Sequence, residues 1–185
     1  MPLGDGWSFM QDPDLRPRME TWIRASCAMG TELPFMMVTL QGLGRLDCSL
    51  IAEEKRFSSL SEKERATINE SDSLSVAFFF SSLWVLGSYE AIRTIDARIN
   101  GKTSPTSDAG WKLRRAKQDL QRVRVPLAKM EPATKFAKTD SGVAYPGLAS
   151  LSLEVGWALQ QRVFITRRLL SDRTLDALLA VRGTK

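Results

Sequence analysis

The chain has 185 residues, 43% hydrophobic and 25% charged, with a formal net charge of +5. That balance excludes a disordered, collagenous or low-complexity chain and predicts one domain over 1–185 with a real core. Histidine is absent, which excludes Ser-His-Asp and Cys-His catalysis, His-ligated zinc and histidine pH switches.

Residues 1–11 read as a loosely ordered segment in which Trp7, Phe9 and Met10 are the apolar groups. No basic stretch leads into an apolar one there, so a cytoplasmic location is expected. Asp12-Pro13-Asp14 is a helix start, with Asp as N-cap and Pro at the first turn. Leu15, Met19, Trp22, Ser26 and Met29 follow at helical spacing, which predicts a helix over 14–29 ended by Gly30. Cys27 and Cys48 are too few for a disulfide framework and read as reduced core residues.

Segment 35–51 carries two signals. Phe35-Met36-Met37-Val38 suits a strand, whereas Leu40, Leu43, Leu46 and Leu50 keep helical spacing, and a helix is the preferred reading. Ser61 and Glu64 form a capping box that predicts a short helix over 62–69. The longest element is a central helix over about 72–100, closed by Asn100-Gly101. Leu74, Phe78, Ser81, Val85, Ser88, Ile92, Ile95 and Ile99 make its stripe, and it would run about 42 Å. Its seventeen uncharged residues, 73–89, fall short of the ~20 of a membrane span and include five serines. A buried bundle helix is therefore preferred to a span.

Ser107-Asp108 can cap a further helix whose stripe is Leu113, Ala116, Leu120, Val123, Leu127 and Met130. Pro126 is expected to kink it or end it near Arg124. From Ala149 to Leu159 apolar residues alternate with small or polar ones, the one strong strand signal, and 162–166 reads as a return strand beyond a Gln160-Gln161 turn. A last helix begins at Thr166 or Ser171 and stops at Gly183. The expected fold is mainly α: a helical bundle around the 72–100 helix, a small antiparallel hairpin at about 148–167, and a final helix.

The chemistry is sparse. Gly101-Lys102-Thr103 imitates the end of a phosphate loop, but Asp96 stands where the motif needs its first glycine. No cofactor fingerprint or metal-ligand spacing is present. The pairs Asp12/Asp14 and Glu53/Glu54 read as caps and as a solvated face, not as a metal site. Charge is uneven: residues 1–100 sum to −4, 101–138 to +7, and the remainder to +2. Arg114, Arg115, Arg122 and Lys129 share one helix face within 112–129, and Arg124 lies nearby. Such a row suits a nucleic-acid backbone or another anion; the plainer reading is a solvated face paired with the acidic 53–72 segment. Arg167, Arg168 and Arg173 form a smaller basic cluster expected to pair with Glu154 or Asp172.

Tyr89, Glu90 and Arg93, with Asp96 one turn on, form an ion-pairing group at the edge of the apolar run. Its catalytic reading makes Glu90 a base, Tyr89 a proton donor and Arg93 or Arg124 the anion holder. Trp111 and Trp157 read as core or interface residues. The preferred function is a non-catalytic binding or regulatory module acting through protein contacts, with self-association of the long helix as one route. The alternatives are a nucleic-acid-binding protein using the 112–129 face, and a histidine-free, metal-independent enzyme such as a nuclease.

Overall fold

A computed structural model of the chain describes residues 12–27, 29, 33–69, 72–101 and 104–183. The expectations placed on 1–11, on Gly30 and on Lys102-Thr103 lie outside the described residues. Six α-helices are described: α1 (Leu15–Cys27), α2 (Pro34–Ser59), α3 (Glu62–Asn69), α4 (Asp72–Asn100), α5 (Asp108–Lys129) and α6 (Arg167–Gly183). Strands β1 (Tyr145–Leu148), β2 (Val155–Gln160) and β3 (Val163–Thr166) form an antiparallel sheet in that order between α5 and α6. The mainly helical fold and its final helix are as the sequence predicts.

Most helix ends follow their local chemistry. Asp12 Oδ1 accepts the Asp14 N–H at 2.8 Å, and the Ser61 N–H donates to Glu64 Oε2 at 2.8 Å. Ser107 Oγ accepts the Gly110 N–H at 3.1 Å, and Thr166 Oγ1 accepts the Leu169 N–H at 3.1 Å. Each satisfies a donor the helix itself leaves unpaired. Gly101 ends α4 at φ +57°, a left-handed turn that costs glycine little.

Helices α1 and α2 run antiparallel and meet where Gly44 faces Trp22. A Cβ on residue 44 would sit 2.6 Å from the Trp22 Cβ, so only glycine admits this approach. The next layer is α4, which also runs antiparallel to α2. Trp84 Nε1 donates to the Leu43 carbonyl at 3.1 Å, and Gly87 lets Leu43 close in. Helix α5 lies antiparallel on the other flank of α4, and α6 packs against α5 and α1. Trp22, Trp84, Trp157, Leu40, Ile92, Ile95, Leu113 and Leu120 fill the space between them.

Several expectations are corrected. Residues 35–51 are helical, as the preferred reading has it, but the helix is longer than expected, running from Pro34 to Ser59. α1 stops at Cys27, and Met29 tucks into the core from the turn beyond. Cys27 is therefore exposed at a helix end, while Cys48 is buried with its thiol pushed up to about 12 by burial and by Asp47 beside it. Pro126 does not end α5, which continues to Lys129; so near the C-terminus a proline removes one hydrogen bond only.

The alternation at 149–159 is not one strand. Residues 149–154 are a connection closed by Ala149 N–H to the Glu154 carbonyl (2.9 Å) and Leu153 N–H to the Ala149 carbonyl (2.8 Å). Leu153 is left-handed there, at φ 55°. The sheet accordingly has three strands, with β1 at 145–148 unforeseen, and its second turn is Gln161-Arg162.

Candidate functional site

The structure brings the four residues of the catalytic reading together. α4 and α5 meet in register, so Tyr89, Glu90 and Arg93 face Arg124. The Arg93 Nε is 2.7 Å from Glu90 Oε2, Arg124 Nη2 is 3.6 Å from Glu90 Oε1, and the Arg124 guanidinium lies 5.0 Å from the Tyr89 ring centroid. Glu90 is half exposed and shared between two arginines. The arrangement is an open surface cluster with no concavity of its own among the cavities described below.

The predicted basic row is split by the fold. Arg114 and Lys117 turn to the α4 side, where both pair with Asp96, as does Asn100 Nδ2 at 2.7 Å. Arg122 turns outward, but the segment after α5 folds back over it. Asp140 takes its Nε and Nη2 at 2.6 and 2.8 Å, and Phe136 stacks 4.1 Å from the guanidinium carbon. Lys129 pairs with Glu131 at the helix end, and Arg115 is exposed. Among the described residues the row pairs with Glu90, Asp96, Glu131 and Asp140, all outside the 53–72 segment. Trp111, expected in a core or interface, is more than half exposed beside Arg115; Trp157 is fully buried.

A second charged cluster was not foreseen, and it is the most buried among the described residues. Arg167 and Asp47 are both completely buried and paired with each other. Arg167 Nη2 reaches Glu54 at 3.0 Å, and its guanidinium carbon lies 6.0 Å from the Trp84 ring centroid. Arg18 Nε donates to Asp47 Oδ2 at 2.6 Å and Trp22 Nε1 to the same oxygen at 3.0 Å. Arg18 continues to Ser171 and Asp172 on α6, each at 2.7 Å. Glu54 also accepts the Val155 N–H at 3.3 Å, which reaches the sheet. One carboxylate therefore ties α1, α2 and α6, and a second ties α2 to α6 and β2. Both Asp47 oxygens are taken, so the cluster is a clamp without a free acid or base.

The smaller basic cluster is rearranged with it. Arg168 pairs with Asp172 as expected, whereas Arg173 pairs with Asp119 on α5 at 2.7 Å. Asp12 and Asp14, the candidate metal pair, hold Lys55 at 3.0 and 2.9 Å. Among the described residues no group of three or more metal-ligating side chains occurs.

Burial would raise the Asp47 carboxyl, but the Arg167 and Arg18 charges outweigh it and hold it below 3.8. Asp96 is likewise raised by burial and carried below 3.8 by Lys117, Asn100 and Arg114. Asp140 is lowered chiefly by its Arg122 bonds. Glu54 goes the other way: burial outweighs Arg167 and lifts it above 4.5. The three lowered groups bind protons more readily in the unfolded chain, so they stabilise the fold above their ordinary range and lose that contribution as pH falls through it. Glu54 partly offsets the loss. The urea midpoint should hold from about pH 7 to about pH 5 and drop clearly by about pH 3; an unchanged midpoint at the lowest pH contradicts this assignment.

Two concavities flank Glu54. One, of about 30 Å³, lies between Leu50, Phe57, Leu74, Leu148 and Val155 and has room for about one water. The other is an open groove of about 440 Å³ bordered by Glu54, Lys55, Ser58, Ser152, Glu154 and Arg168.

A long apolar stretch lies on α4. Its segment Leu74–Asn100 is long and apolar enough to cross a membrane by length and composition, yet only a third of its most apolar stretch is buried. Trp84, Val85, Ile92 and Ile95 form the buried face. On the opposite face Phe79 is 60% and Leu83 42% exposed, so the expectation of a buried helix is met on one side only. Comparison with family models, with curated proteins and with solved structures finds no match to this chain.

Proposed function

We propose that this chain is a non-catalytic assembly module that works by pairing with a second copy through the outer face of α4. The observation that carries this reading is the exposure of Phe79 and Leu83 in the middle of the most apolar helix. A water-soluble surface with a concentrated apolar face marks an interaction site. The charged clusters support it from the other side, because each carboxylate in them is already paired within the chain.

The sequence of that face favours a copy of itself as the partner. Ser75, Phe79, Ser82 and Leu86 recur at spacings of four, three and four, the seam pattern of a coiled coil, with small and large residues alternating. In an antiparallel pair with its two-fold between residues 80 and 81, Phe79 stands opposite Ser82 of the other copy. Ser75 then stands opposite Leu86. Within these four seam positions each large side chain meets a small one, with Leu83 on the flank, which is how facing helix layers interdigitate, and such an isologous contact closes on itself as a dimer.

Cross-linking tests the pairing and its direction. With Cys27→Ser as background, Ser82→Cys places the two thiols about 4.5 Å apart along the helix axis, whereas Ser75→Cys places them about 16.5 Å apart. A short bismaleimide should therefore capture the Ser82→Cys dimer and not the Ser75→Cys dimer. Capture of neither, or of both equally, overturns the antiparallel assembly.

A further inference from the structure

The open groove of about 440 Å³ beside Glu54 holds two opposite charges that the fold leaves unspent. Glu54 itself is committed, because its Oε2 accepts from Arg167 and its Oε1 from the Val155 N–H. Lys55 spends its ammonium on both Asp12 oxygens and on Asp14. The remaining two charged residues of the lining differ. Glu154 is partly buried and near enough to Glu54 for its charge to act there. Among the described residues its carboxylate takes no hydrogen bond or ion pair. Arg168 gives its Nε to Asp172 at 3.2 Å, and among the described residues its two terminal nitrogens meet no acceptor. Glu154 and Arg168 thus border one groove without pairing with each other.

We propose that this groove binds a free amino acid as its zwitterion, with the ammonium on Glu154 and the carboxylate on Arg168. A lone amine would leave the guanidinium edge unmet, and a lone anion would leave the Glu154 carboxylate unmet. A zwitterion satisfies both with charge-assisted hydrogen bonds. An ammonium carries three N–H donors, and the serines of the groove suit the ones that Glu154 does not take. Ser58 Oγ donates to the Glu54 carbonyl and Ser59 Oγ to the Arg56 carbonyl, both at 2.8 Å. Each hydroxyl has therefore spent its proton and offers only lone pairs to a ligand. The volume leaves room for a side chain beyond the two charged ends, and Ile51 supplies an apolar patch of wall against which it lies. A residue inside a peptide carries neither end charge, so the free amino acid is selected over a chain segment.

The test is a backbone-amide NMR titration of the intact protein with L-leucine as the probe. Saturable binding with a Kd of about 1 mM or tighter is expected. The two half-molecules, 3-methylbutylamine without the carboxylate and 4-methylpentanoate without the amine, should each bind about tenfold more weakly or worse. Glu154→Gln should weaken L-leucine about tenfold and leave 4-methylpentanoate within about twofold. Arg168→Gln should weaken L-leucine about tenfold and leave 3-methylbutylamine within about twofold. A purely structural role for either residue would move leucine and both half-molecules together, and the amide spectrum of each variant reads its fold directly. Absence of saturable binding of L-leucine up to about 10 mM, equal affinity for either half-molecule, or variants that bind L-leucine as the wild type does each overturns the proposal. None of these outcomes depends on the α4 pairing, which the cross-linking reads independently.

Discussion

Asp47→Ala is expected to lower the unfolding free energy by about 3–5 kcal/mol, the cost of breaking a buried ion pair from one side. The variant strands the Arg167 guanidinium, which is fully buried and whose other carboxylate partner among the described residues is Glu54. It also deprives Arg18 and the Trp22 indole of their shared acceptor. Since Asp47 ties α1, α2 and α6, the loss should appear as a fall in the urea midpoint of the whole transition and not as local fraying. Removing both charges together should hurt less. Asp47→Leu with Arg167→Met removes both fully buried charges but leaves Glu54 without its arginine and Arg18 and Trp22 without their acceptor, so the pair should recover part of the loss and not all of it. A double-mutant cycle on chemical denaturation checks this. An Asp47→Ala variant as stable as the wild type would mean that the clamp does not organise the fold.

The second large effect concerns α4. Phe79→Ser should weaken self-association by about 2–4 kcal/mol, roughly 30- to 1,000-fold, because two partly exposed phenyl rings are lost from one symmetric interface. Ser82→Phe should weaken it too, by setting two phenylalanines against each other where one large and one small side chain belong. The informative variant is the exchange, Phe79→Ser/Ser82→Phe. In the two-fold arrangement each new Phe again faces a Ser, so the exchange should recover much of the association that either change alone loses. Non-additivity of this sort is the signature of side chains in contact. Association rates and affinities from analytical ultracentrifugation across the four proteins read it directly; an exchange variant weaker than both single variants contradicts the register.

What the sequence made legible was whatever is decided within a few residues. The Ser61–Glu64 box fixed the start of α3, and Asn100-Gly101 fixed the end of α4, because a cap is a contact between near neighbours. The 149–159 alternation misled for the complementary reason. Its first half is closed by hydrogen bonds around a left-handed Leu153, and Leu151 points fully into solvent. A period of two records side-chain chemistry, not the strand that must pair with it.

The charged clusters were the least legible. Arg122 and Asp140 are 18 residues apart, and Arg167 and Asp47 are 120 apart; no local pattern joins them. Asp47 did carry one signal. It stands three residues after Gly44 and four before Ile51, on the buried stripe that runs through Leu40 and Cys48. A carboxylate at a core position requires a buried partner. Arg167 carried no such signal, since a basic residue at a helix start reads as exposed until α1 and α2 are seen to close over it.

The account stands most directly on the mass of the intact protein in solution. Sedimentation equilibrium over a range of concentrations, without detergent, should give a reversible species of two 20.7 kDa chains that Phe79→Ser dissociates. A single 20.7 kDa species at every concentration would show that the exposed face of α4 does not pair with its copy, and the assembly reading would be wrong.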